Sequence, residues 1–122
     1  MGKRLEITDL SAAGCCVPMV DGALTEQAAA DLARAFKALG DPVRLRLLSL
    51  IAARAGAEVC VCDLTGAFEV SGPTISHHLR VLREAGLIDC ERRGTWVYYW
   101  VVPAALAVLS GVLNTSGVAP VN

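Results

Sequence analysis

The spacing of hydrophobic and polar positions divides the chain into a run of helices, a hairpin and one further helix. Ala29, Leu32, Ala33, Phe36 and Leu39 recur at helical spacing, with Thr25 placed to cap the segment and Gly40 to stop it. Asp41 then caps a second helix with Pro42 in its first turn. Its Val43, Leu45, Leu47, Leu48, Leu50 and Ile51 predict a largely buried element, polar only at Arg44 and Arg46, that Ala55–Gly56 closes. Cys62 to about Phe68 reads as a short helix, Glu69–Val70–Ser71–Gly72 as a turn, and residues 73–85 as the next helix. Ser71 is its expected N-cap, Pro73 suits its first turn, and Gly86 suits the position just past its end. Ile88–Arg93 and Thr95–Val101 flank Arg93–Gly94 as two strands of a hairpin.

The helix over 73–85 has two distinct sides. Ile75, Leu79 and Leu82 make an apolar face, while Thr74, Ser76, His77, Arg80 and Arg83 supply hydrogen-bond donors. A donor-rich helix followed by a basic hairpin has the shape that enters a DNA major groove and braces on the backbone. The expected fold is therefore α+β, mainly α: a winged helix-turn-helix with a two-stranded β-wing. Thr74, Ser76, His77 and Arg80 are expected to face the groove, with Ser71 at the helix start and Arg92 and Arg93 at the wing tip on phosphates.

Pro103 opens a last helix, AALAVLSGVLN, that is apolar on nearly every side. Such a helix would leave a large apolar patch on a monomer, so it predicts a homodimer built on the first and last helices. The expected organisation is an irregular arm over 1–22 carrying Cys15–Cys16, a DNA-binding and dimerisation domain over 23–114, and a tail over 115–122.

The totals change this picture only a little. At 122 residues the chain suits one domain. It is 54% hydrophobic, yet no apolar run reaches the roughly 18–20 residues of a membrane span, and its start lacks the apolar stretch of a signal peptide. A cytoplasmic protein without a membrane partner is expected. The net charge of −1 gives weak support to a polyanionic partner, but its distribution helps. Residues 1–32 are net negative, and the acid-to-base balance turns positive over 33–95, around the expected reading head.

The cysteines are Cys15, Cys16, Cys60, Cys62 and Cys90, an odd number that argues against a disulfide framework in such a compartment. Cys90, on a hairpin strand, reads as a small buried hydrophobe. Two thiols at Cys60 and Cys62 are hard to explain by packing, and an irregular arm has no core in which to bury Cys15 and Cys16. All four are candidate ligands. His77 and His78 point about 100° apart on a helix and do not share an ion easily. Trp96, Tyr98, Tyr99 and Trp100 read as core or wing scaffold. Ser76 with the histidines does not make a hydrolase, because no elbow motif and no orienting acid accompany them, and no enzyme activity is expected.

FKALGDPVRLRLLSLI (36–51), CVCDL (60–64), PTISHHLRVLREAGLI (73–88) and RRGTWVYYWV (92–101) together resemble the ArsR/SmtB family of bacterial metal-sensing repressors, and the CVCDL box resembles its arsenic-responsive branch. The resemblance implies a homodimer that sits on double-stranded operator DNA and lets go when a toxic metal or metalloid binds. Two positions depart from the family pattern: Gly72 stands where many relatives have glutamine, and Thr65 stands where the best-known box has a third cysteine. As(III) and Sb(III) are soft ions matched by thiolates, and As(III) takes three of them. The resemblance implies that Cys15 and Cys16 join Cys60 or Cys62, across the dimer, as in sensors with a Cys-Cys arm. Rival readings are a Cd(II), Pb(II) or Zn(II) sensor using the same thiols, a cysteine redox switch, and a protein-interaction module without DNA binding.

Overall fold

A computed structural model describes residues 22–54, 58–65 and 72–115, leaving aside the side chains of Cys62 and Thr65. The expected arm with Cys15 and Cys16, the closure at Ala55–Gly56, the N-cap Ser71 and most of the C-terminal tail lie outside the described residues.

Helix α1 spans Glu26–Leu39. Thr25 caps it as expected: its Oγ1 accepts from the Ala28 amide at 3.1 Å. Helix α2 follows over Pro42–Ala52, and Asp41 Oδ1 accepts from the amides of Val43 at 2.9 Å and Arg44 at 3.1 Å. That pair of donors, the Arg44 amide first, holds the Asp41 carboxyl below its ordinary pKa. Helix α2 is less buried than its leucines suggest. Leu47, Leu48 and Ile51 are in the core, but Leu45 stands 53% exposed, because apolar residues here occupy both sides of one cylinder.

Strand β1 is only Val59–Cys60, and helix α3 runs from Val61 to Thr65. The CVCDL box therefore straddles a strand and a helix. Cys60 ends the strand, one residue before the helix.

Helix α4 covers Gly72–Glu84 and buries Ile75, Leu79 and Leu82 completely. It ends in a six-to-one closure: the Leu87 amide donates to Leu82 O at 3.1 Å and the Gly86 amide to Arg83 O at 2.9 Å. The closure needs a left-handed residue, and Gly86 sits at φ 82°.

Strands β2 (Ile88–Arg93) and β3 (Trp96–Val101) pair antiparallel from Ile88↔Val101 to Arg93↔Trp96. Thr95 falls in the turn rather than in the strand, next to Gly94 at φ 64°. The sheet order is β1-β3-β2, so the expected two-stranded wing gains a third strand, paired Val59↔Tyr99 and Cys60↔Tyr98. Cys90 is half-buried opposite Tyr99, not a core residue.

Helix α5, Pro103–Val112, returns to the core with Ala105, Val108, Leu109 and Val112. These side chains join those of α1, α2 and α4 in one cluster. Among the described residues no helix is long and apolar enough to cross a membrane.

Candidate functional site

Three fully buried residues anchor α4 from one side and leave the other side to solvent. Pro73, Thr74, Ser76, His77 and Arg80 are all exposed there, and Pro73, Ser76, His77 and Arg80 line a shallow hollow of about 420 Å³. Arg80 Nη2 lies 3.3 Å from His77 Nδ1. Since guanidinium can only donate, His77 accepts at Nδ1, which leaves Nε2 as the ring's outward-facing donor. Hydroxyl, imidazole and guanidinium on one ridge are the groups that pair with base edges and phosphate oxygens.

His78, one residue on, behaves differently. Its ring is tilted 54° to that of His77, with centroids 5.7 Å apart, and its Nδ1 lies 3.2 Å from Arg44 Nη1. The expectation that the two histidines diverge holds: one faces out and the other packs against the fold. Asp89 Oδ1 accepts from Arg83 Nε at 3.4 Å, pinning the end of α4 to β2.

On the hairpin the two arginines have separate surroundings. Arg92 is exposed and donates from Nε to Gly94 O at 3.3 Å across the turn. Arg93 is held by Glu58 through both Nη atoms and by Glu91, and its guanidinium lies 5.0 Å over the Tyr98 ring. The Arg93 bond also holds the Glu58 carboxyl below its ordinary pKa. Arg93 is thus a strut between the hairpin and the segment before β1, a geometry its sequence position beside Arg92 did not suggest. Trp96, half-exposed at the hairpin tip, is outside the core, whereas Tyr98, Tyr99 and Trp100 are partly buried wing scaffold.

Cys60 is buried on β1 and is joined in a disulfide whose other half lies outside the described side chains. The odd cysteine count argued against a disulfide framework, and the bridge at Cys60 is a bond that argument did not foresee. Counting said nothing about which pair the fold draws together. Among the described residues no three His, Cys, Asp or Glu side chains gather closely enough to hold a metal ion, and Cys15, Cys16 and the Cys62 side chain are not among them.

The family model described as bacterial regulatory protein, arsR family, matches residues 41–89, from the α2 cap through α4 into β2. A transcriptional regulator of Methanocaldococcus jannaschii with a helix-turn-helix is 43% identical over 70 residues, 57% of this chain and 76% of that protein. The chain belongs to the bacterial ArsR family of regulatory proteins. Within the family, an arsenic-resistance transcriptional regulator of Pseudomonas putida is 48% identical over 85 residues, 66% of this chain. The match covers 65% of that regulator, so the chain spans just under two thirds of its length. The homodimeric winged helix-turn-helix DNA-binding domain of a Mycobacterium bovis protein superposes with a TM-score of 0.58 at 28% identity, over 73% of this chain and 83% of that one. ArsR membership and the winged helix-turn-helix neighbour make α3 and α4 the helix-turn-helix pair and β2–β3 the wing.

Proposed function

We propose that this ArsR-family chain is an arsenite- and antimonite-responsive transcriptional repressor. It works in the cytoplasm as a non-enzymatic homodimer that holds operator DNA and lets go when trivalent metalloid engages its cysteine thiolates. The observation that carries the DNA half is the exposed donor ridge of α4, fixed from behind by Ile75, Leu79 and Leu82. Thr74, Ser76, His77 and Arg80 read the groove. Arg92 meets phosphate at the wing tip, and Arg93, held by Glu58 and Glu91, sets the angle of the wing. A homodimer presents two ridges to two half-sites one helical turn apart. The homodimeric relative and the outer apolar side of α5 support that assembly.

The inducer half rests on the 48% identity to an arsenic-resistance regulator and on the sulfur chemistry of the box. Bound metalloid supplies a three-coordinate, thiophilic centre. Cys60 is half of a disulfide, so reduction of that bond frees thiols that can serve as donors. Because Cys90 is free, the remaining donors are the two of Cys15, Cys16 and Cys62 that are not joined to Cys60. A site drawn from the arm and the box pulls the arm toward the helix before the reading helix and shifts the spacing of the two reading heads. To empty the operator, inducer must favour the released form by about 10⁴-fold.

The test is a gel shift on the intergenic DNA upstream of the gene, under reductant, with and without arsenite. Wild type is expected to bind and to be released. Cys60→Ser with Cys62→Ser is expected to bind equally well and stay bound; normal release of that variant overturns the box as sensor. The disulfide at Cys60 favours one second reading, a redox switch. There, peroxide takes two electrons from two thiols, forming the S–S bond and water, and DNA is released without metalloid. Release by peroxide but not by arsenite selects it.

A further inference from the structure

One guanidinium ties three helices together away from the groove-facing ridge. Arg44 sits in the first turn of α2, its amide already bonded to the Asp41 cap. Its side chain turns back on the last turn of α1, where Lys37 O already accepts from the Gly40 amide at 3.1 Å. Nε donates to Ala38 O at 2.6 Å and Nη2 to Lys37 O at 3.5 Å. The remaining arm, Nη1, reaches His78 Nδ1 at 3.2 Å in the middle of α4. The planar fork of arginine serves three directions at once, which the single ammonium of lysine does not. His78 is half-buried and turned away from the His77–Arg80 ridge, so neither partner is aimed at bases.

We propose that Arg44 is a positioning residue for operator recognition, setting the orientation of the reading helix α4 against α1 through its contact with His78. The inference rests on the DNA-binding reading above. Helix α1 is one of the two helices expected to form the dimer scaffold, so the clasp fixes each reading head relative to that scaffold. Because half-sites recur at the DNA helical repeat, a tilt of α4 costs specific contacts at both half-sites together. Loose electrostatic attachment, which needs only charge near phosphate, is indifferent to such a tilt.

The experiment compares Arg44→Ala, His78→Leu, His78→Asn and the Arg44→Ala/His78→Leu pair on the same upstream DNA and on random duplex, over a salt series. Arg44→Ala and His78→Leu are each expected to weaken operator binding about tenfold, with random-duplex binding and the salt slope unchanged. The double variant should be no worse than the worse single one, because both delete the same link. His78→Asn, which keeps an acceptor near the Nδ1 position, should bind like wild type. A salt slope lower by about one per protomer in Arg44→Ala would show a direct phosphate contact and overturn the proposal. Fully additive losses, or operator affinity unchanged in both single variants, overturn it as well. Should Arg44→Ala fail to fold by circular dichroism, the His78→Leu and His78→Asn pair decides alone: equal binding by the two overturns it. Wild type that binds no DNA at any salt sinks the underlying reading, whereas wild type that binds while the variants match it sinks this inference only.

Discussion

Helices α4 and α5 have similar length and both bury one side in the same core, yet their outer sides are opposites. The outside of α4 carries Thr74, Ser76, His77 and Arg80; the outside of α5 is mostly apolar, with Pro103, Ala104, Ala107 and a single hydroxyl at Ser110, and Leu113 is 54% exposed just past its end. The inner sides do the same work, since Ile75, Leu79 and Leu82 meet Ala105, Val108 and Leu109 in one cluster. Burial therefore explains why both helices fold where they do and says nothing about what each is for. Function is written on the side the core does not use: donors suit a polyanion, and small apolar groups suit a second copy of themselves.

Substitutions can separate the two sides. The largest effect is expected inside: Leu79→Ala should cost about 2–5 kcal/mol of stability, read as a lower midpoint in urea, with loss of DNA binding only as a result of unfolding. Next comes the outer side of α5. Leu113→Glu should weaken self-association about tenfold or more, seen as monomer in sedimentation velocity, with little change in the fold of each protomer. The smallest effect on stability falls on the outer side of α4. Arg80→Ala should leave the unfolding midpoint within about 0.5 kcal/mol of wild type while weakening operator binding by about 1–3 kcal/mol. If Leu113→Glu left the dimer intact, or if Arg80→Ala destabilised the fold as much as Leu79→Ala, the contrast between the sides would fail.

Much of the fold was legible because its punctuation is local. Thr25, Asp41 and Gly86 act within three or four residues of themselves, and each sits where its chemistry placed it. The donor ridge and buried stripe of α4 followed from helical period alone. What the sequence concealed depends on distant partners. Two residues cannot display strand alternation, so β1 and the strand position of Cys60 were invisible until Tyr98 and Tyr99 were seen beside them. Arg93 looked like the twin of Arg92 because Glu58, far back in the chain, gives no local sign of reaching it. The roles of Leu45 and His78 were hidden for the same reason: apolar or polar character is in the letter, but the neighbour is in the fold.

Two antiparallel rungs join Val59 and Cys60 to the central strand of the hairpin. Backbone pairing of this kind resists stretching, since opening it strips amides of their partners. Cys60 lies directly across the ladder from Tyr98, over whose ring the Arg93 guanidinium sits. Cys60 and the central strand of the hairpin are thus joined through β1, the shortest strand among the described residues.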